Sequence, residues 1–209
     1  MGATMFPTSD EQRAEVPATA APIDPRIARS RAKLIAAATE ILVELGPRGL
    51  TVDAVAERSG VAKSTLYRHW PSRTALMVDV LRENMPQVEP VDLEHGFEPC
   101  LRTMMAALAD AFADPEWCRI MPSLFALKHQ LPEIDDLTEA DHEERTAMLR
   151  DVLAAGAGEG LIPPGLDPHD VISMLVGPIL MCSLTGETDR IHRVAEFAVD
   201  RFLASYDTP

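Results

Sequence analysis

Three cysteines are all that this chain of 209 residues contains, and their placement excludes two chemistries. Cys100, Cys118 and Cys182 are odd in number, far apart and set in apolar sequence, so they offer neither a disulfide framework nor the CxxC knuckle of a zinc site. Reduced, mostly buried thiols are expected. Catalytic signatures are missing as well. The sequence has no glycine-rich phosphate loop, no nucleophile elbow, no His-Glu-x-x-His and no convincing alternating run that predicts a strand, so an enzyme, a catalytic residue or a cofactor is not expected. Long hydrophobic runs are also lacking. The most apolar stretch, Val171 to Leu184, is broken by Ser173, Gly177, Pro178 and Ser183 and falls short of the ~20 residues of a spanning helix. Near the start, Asp10, Glu11, Arg13 and Glu15 replace the basic end and apolar run of a signal peptide. Phe6 stands where a myristoylation signal after Met1-Gly2 needs Ser or Thr. These exclusions predict a cytoplasmic protein.

Acid is abundant, but unevenly spread. The chain carries a net charge of −14, which taken whole argues against a nucleic-acid partner. Residues 1–24 hold one Arg and four acids; residues 25–82 hold ten Lys or Arg against five Asp or Glu, net +5; residues 83–209 hold eight against twenty-four, net −16. A basic block on an acidic body is the footprint of a phosphate-binding head joined to something that repels phosphate.

The sequence predicts an all-α protein of about nine helices: an N-terminal three-helix helix-turn-helix head and a C-terminal helical bundle. Residues 1–23 have no period and are expected to form a disordered arm. Asp24 as cap and Pro25 at the first helical position open a helix whose apolar residues, from Ile27 through Leu34, Ile41 and Leu45, repeat at helical spacing until Gly46-Pro47. Thr51 caps a second helix that ends at Gly60. A third runs from about Ala62 to Trp70, and Ser72 caps a fourth bearing Leu76, Met77, Val80 and Leu81. Five more helices are expected near 96–113, 116–130, 133–156, 168–184 and 188–205. The domains predicted are thus the arm, 1–23, a head, 24–84, and a ligand-binding and dimerisation body, 85–209.

Two short helices joined at Gly60-Val61 have the length and turn of a helix-turn-helix, whose second helix enters the major groove. Leu66 and Trp70, at i and i+4, anchor that helix to the core. Lys63, Ser64, Thr65 and Tyr67 are left as donors near its N-terminal end, the end that meets bases and phosphates. Here the chain resembles the TetR family of bacterial regulators. Gly49-Leu50-Thr51, Val55-Ala56, Ser59 to Lys63, Thr65 to Trp70, Ser72-Arg73 and Leu76 follow that family's DNA-binding signature over about fifty residues, from Ile27 to Leu76. The resemblance implies that Thr51 and Tyr67 bond phosphates, that His69 and Arg73 contact or neutralise them, and that Lys63, Ser64 and Thr65 reach bases. It departs from the pattern twice. Trp70 stands for a more usual Phe, a change expected to affect packing only, and Ala62 replaces a capping Ser. Plainer roles exist for several of these residues: Thr51 as a cap, Tyr67 stacked on the surface, His69 as a surface or core histidine, Lys63 as a solvated charge. Arg26, Arg29 and Arg31 offer further phosphate contacts or a solvated helix end.

For the body, the resemblance implies a bundle that encloses a small-molecule cavity and pairs through its last two helices. Met104, Met105, Leu108, Phe112, Trp117, Met121, Phe125 and Met148 are the expected pocket residues, since methionine adapts to irregular apolar shapes, although ordinary core packing is the plainer account of each taken alone. Val171 to Leu184 is apolar nearly all round, which calls for burial on two sides. Val171, Leu175, Leu180, Ile191, Ala195, Ala198 and Phe202 are therefore the expected homodimer interface, with a wholly intramolecular core as the alternative. The acidic stretch from Glu133 to Glu144 lacks the glycine and spacing of a calcium loop, and His129 and His142 are too isolated to bind metal. The expected function is a sequence-specific transcriptional regulator, a repressor of an inverted-repeat operator in duplex DNA released by a small apolar ligand, with the fourth helix as the link between head and body. The alternative is a ligand-independent regulator, constitutive or controlled by a partner protein.

Overall fold

The computed structural model describes residues 25–87 and 89–206; the expected arm and the Asp24 cap lie outside the described residues. Among the described residues there are nine α-helices and no strand. The head comprises α1 (Pro25–Gly49), α2 (Val52–Ser59) and α3 (Lys63–His69), followed by α4 (Arg73–Asn84). The body comprises α5 (Phe97–Ala113), α6 (Pro115–Lys128), α7 (Pro132–Gly158), α8 (Pro168–Thr185) and α9 (Ile191–Ala204). A 3₁₀ turn that the sequence did not announce, Leu93–His95, precedes α5.

Helix boundaries follow local chemistry. Pro115, Pro132 and Pro168 sit in the first turns of α6, α7 and α8, where a missing N–H costs no hydrogen bond. Asp114 and Asp167 cap two of these helices by accepting from Trp117 N at 2.7 Å and His169 N at 2.9 Å. At the other end of the chain α1 departs from helical geometry at Gly46, whose φ of 68° suits a residue without Cβ, and Pro47 follows at once.

Two cores hold the molecule. One joins α5, α7, α8 and α9 around Phe97, Leu101, Met104, Leu108, Leu175 and Ile179. The other begins in the head with Leu34, Leu42, Val55, Leu66, Trp70 and Leu76, and continues without a break into Trp117, Ile120, Met121 and Leu124 of α6 and Ile134 of α7. The head is therefore tied to the body through α6 as well as through α4, because α6 packs against α1. Deep side chains of this kind each contribute about 1.5–3 kcal/mol relative to exposure, so this contact is a firm one.

The cysteines are free thiols: Cys100 and Cys182 are buried and Cys118 half-buried. Cys118 Sγ lies 3.1 Å from Phe112 O and 3.2 Å from Ser183 Oγ, bridging α5, α6 and α8. Among the described residues α8 has the length and apolarity of a minimal spanning segment, yet Val171, Ile172, Leu175, Ile179 and Cys182 pack one of its faces into the body core.

Candidate nucleic-acid interface

The turn between α2 and α3 is built from three local devices. Thr51 Oγ1 accepts from Ala54 N at 3.2 Å and starts α2; Gly60 ends it in the left-handed region; Ser59 Oγ accepts from Val61 N at 3.2 Å and steadies the link to α3. Leu66 is fully buried and Trp70 nearly so, which fixes α3 by one side only. Lys63, Ser64, Tyr67 and Arg68 are consequently exposed together on its outer side, with Thr65 half-buried between them. Tyr67 is 55% exposed, with its ring on the same outer side as Lys63 and Ser64.

Lys63 is held ready by the preceding helix. Its Nζ lies 2.7 Å from Asp53 Oδ1, and this hydrogen bond, with the charge of Asp53, raises the lysine pKa. Both groups are exposed, so solvent screens the pair and it is a weak one. Thr51, already capping α2, is exposed as well.

Two other expected contact residues are engaged by the head itself, Arg73 at its surface and His69 against α1. Arg73 donates from Nε to Leu50 O at 2.6 Å and from Nη2 to Pro47 O, and so caps carbonyls of the α1–α2 connection. His69 Nε2 lies 3.2 Å from Ser30 Oγ, and its ring rests against Trp70 at 5.2 Å, which turns it toward α1. Arg31 reaches Asp79 and Glu83 of α4 at 2.9 and 2.8 Å, and Arg58 reaches Glu44 at 2.8 Å. Part of the head's basic surplus is thus spent on joining its own helices. Arg68 is the addition: it lies in the quoted motif and on the exposed side of α3, but charge counting alone does not separate it from Arg58.

A cavity of about 390 Å³ lies beyond the end of α4, between α5, α6, α7 and α8. Of the expected pocket residues Phe112 of α5 and Trp117, Met121 and Phe125 of α6 line it. Met104, Met105 and Leu108 do not: they are packed into the body core. Met148 is half-buried and does not line it either. The missed walls are Val176 and Leu180, with a polar end formed by Lys128, Thr138, Asp141, His142 and Arg145. Only the topology brings those residues of α7 opposite α6.

The residues expected to pair are engaged within the chain itself. Val171, Leu175, Ile191, Ala195 and Phe202 are buried within the chain's own core, Ala198 packs against it, and Leu180 lines the cavity. The apolar residues that α8 and α9 leave exposed are Met174, Met181, Leu184 and Phe197. Met174, Pro178, Met181 and Thr185 recur at helical spacing on one outward face of α8.

Residues 34–80 match the family model of bacterial regulatory proteins, tetR family, and residues 100–202 match that of the tetracyclin repressor-like C-terminal domain. The uncharacterized HTH-type transcriptional regulator Rv1556 of Mycobacterium tuberculosis is 38% identical over 199 residues, covering 85% of this chain and 96% of that protein. The uncharacterized HTH-type regulator YdeS of Bacillus subtilis is 24% identical over 179 residues, 85% of this chain and 90% of its own length. A crystal structure from Mesorhizobium loti, described as a TetR-family transcriptional regulator, superposes with a TM-score of 0.68 at 23% identity, covering 88% of this chain and all of that one.

Proposed function

The chain belongs to the tetR family of helix-turn-helix transcriptional regulators, and from that premise we propose that it is a cytoplasmic repressor that binds an inverted-repeat operator as a homodimer and leaves it when a small molecule fills the body cavity. The relatives and the matching family models are regulators, not enzymes. Lys63, Ser64 and Thr65 read bases, with Tyr67, Thr51 and Arg68 on phosphates. His69 and Arg73 act indirectly in this reading, by fixing α3 and the α1–α2 connection against α1 and α4.

A single observation supports release by a ligand. Trp117, Met121 and Leu124 line the cavity and are also part of the core that continues into the head. A molecule that moves α6 therefore disturbs the packing beneath α1, with no further relay needed. Pairing of two chains is supported by Met174, Met181, Leu184 and Phe197, large apolar residues left exposed on α8 and α9, two helices that pack against each other.

Binding-site selection from randomised and genomic DNA tests this reading. The expected product is an inverted repeat with half-site centres about 34–36 Å apart, the spacing at which two symmetric heads meet successive major grooves. A single unpaired half-site, or no enrichment, overturns it. In transcription from a promoter carrying the selected site, added protein is expected to lower the yield; a rise overturns repression.

A further inference from the structure

Arg145 stands at the polar end of the cavity and is incompletely used. Its Nε and Nη2 hold the two carboxylate oxygens of Asp141, one turn earlier on α7, at 2.9 and 3.0 Å. Nη2 also donates to Pro86 O at 3.0 Å, just past the end of α4. Nη1 is buried and has no hydrogen-bond partner among the described residues. A guanidinium cannot lose its proton, so burial leaves Nη1 with two unanswered N–H groups, and meeting an acceptor in the cavity requires the guanidinium to turn away from Asp141 or Pro86 O.

The surroundings narrow what that acceptor is. Around the polar end, Arg145 and Lys128 face Asp141 alone among the carboxylates on the cavity wall, and Asp141 is already taken by Arg145. Lys128 is drawn only loosely toward Asp135, at 3.7 Å. An ammonium group entering here meets two cations and no free carboxylate. A carboxylate meets the reverse, and gives the turned guanidinium the acceptor that Nη1 lacks. The opposite wall, with Phe112, Trp117, Met121, Phe125, Val176 and Leu180, is apolar and ring-rich. At about 390 Å³ the space is near the lower end of ligand pockets.

We infer that the cavity takes a compact amphipathic carboxylic acid, its ring or short chain among the α6 and α8 side chains and its carboxylate at the polar end, where the Arg145 guanidinium turns to meet it beside Lys128. The inference rests on the small-molecule reading of the cavity given above. It also names where the ligand is felt: an incoming carboxylate competes with Asp141 and Pro86 O for one guanidinium, and Pro86 directly follows the α4 cap Met85.

Calorimetric titration of the full-length protein with 2-naphthoate, 2-naphthalenemethanol and 2-naphthylmethylammonium varies the head on one constant body. Naphthoate is expected to bind about tenfold or more tightly than the ammonium compound. Arg145→Lys, which keeps the charge but loses the fork, weakens naphthoate about tenfold and leaves the alcohol nearly unchanged. Asp141→Asn, which frees the guanidinium, tightens naphthoate, an effect that a merely structural pair does not produce. Lys128→Met changes naphthoate affinity less than Arg145→Lys. Equal binding of acid and ammonium, or a naphthoate affinity indifferent to both Arg145→Lys and Asp141→Asn, or a larger loss in Lys128→Met, overturns the inference and leaves the small-molecule reading standing. Silence from all three compounds also overturns it, and the small-molecule reading falls with it only if a broad series of hydrophobic compounds fails to release operator DNA.

Discussion

Trp70 Nε1 donates to Asp79 Oδ2 at 2.8 Å, joining the end of the recognition helix to the middle of α4. Arg31 of α1 donates to the same oxygen at 2.9 Å and lies 5.8 Å from the Trp70 ring centre, and Arg82 takes the other oxygen at 2.8 Å. One carboxylate thus holds three helices of the head in register. The tryptophan that stands for a more usual phenylalanine does more than alter packing, because a phenyl ring has no N–H to offer Asp79.

Asp79→Asn is expected to cost about 1–2 kcal/mol at neutral pH, the scale of hydrogen bonds to a charged, three-quarters buried acceptor. Burial on its own raises the Asp79 carboxyl, but the bonds from Trp70 and Arg31, with the charges of Arg31 and Arg82, more than offset it and hold the pKa below the ordinary carboxylate value. A lowered native pKa means that the stabilisation is complete above the unfolded value, about 4, and is lost as pH falls through the lowered native one. Urea unfolding from pH 7 to pH 2.5 should therefore show wild type and Asp79→Asn converging at the acid end. A constant difference across that range contradicts the assignment.

Gly156 of α7 is where the body is least tolerant of a methyl group. A Cβ there would lie 2.6 Å from Phe97 Cδ2 and within 2.9 Å of two more ring carbons, and Phe97 is fully buried at the start of α5. Gly156→Ala should destabilise by about 1–3 kcal/mol in spite of alanine's better helix propensity, since overpacking outweighs it. Phe97→Leu in the Gly156→Ala background should recover part of the loss in thermal melts; simple additivity would show that the two do not meet.

For DNA, Lys63→Ala should weaken operator binding roughly 5- to 150-fold and relax preference at one base position, whereas Tyr67→Phe should weaken all sequences alike. Arg68→Ala should reduce the salt slope by about one phosphate. Fluorescence anisotropy with operator and scrambled duplexes from low to moderate salt separates the three effects. A Lys63→Ala, Tyr67→Phe double variant that binds as wild type would show that α3 is not the reading helix.

Helix order and ends were legible because punctuation is local: Pro115, Pro132, Pro168, Gly60 and Gly186 act through their own φ angles and first-turn hydrogen bonds. The choice among partners was not, because it depends on what topology brings near. Nothing around Arg73 indicates that carbonyls of Pro47 and Leu50 will take its guanidinium, some 25 positions away. Met104 and Met121 have similar apolar neighbourhoods in sequence, yet one is packed between helices and the other faces a cavity. A helix that is apolar on several sides, such as α8, likewise does not declare which side its own chain will use.

That last ambiguity shapes the pairing prediction. Phe197→Glu or Met181→Glu should split a dimer while leaving the monomer folded, because both side chains are more than half exposed in the single chain. Leu175→Glu, fully buried within the chain, should instead unfold it by stranding a carboxylate in the core. Light scattering at micromolar concentration, paired with circular dichroism, distinguishes the two outcomes. A monomeric mass for the wild type contradicts the homodimer.

Coupling between cavity and head admits a reciprocal test. If a ligand and operator DNA prefer different arrangements of α6, each must weaken the other's binding by the same factor, typically ~5–150-fold. Trp117 is placed to report both events, since it lines the cavity and belongs to the core that runs into the head. Trp70→Phe leaves emission from Trp117 alone, at the cost of the bond to Asp79, so operator affinity of that variant without ligand is the necessary baseline. Titrating hydrophobic compounds should then shift or quench Trp117 and release operator over the same concentrations. Saturating operator should in turn move the compound's midpoint upward by the factor seen for DNA. A compound that saturates the Trp117 signal and leaves operator affinity unchanged occupies the cavity without inducing release. If every compound that binds behaves so, α6 does not transmit, and regulation without a ligand becomes the better account.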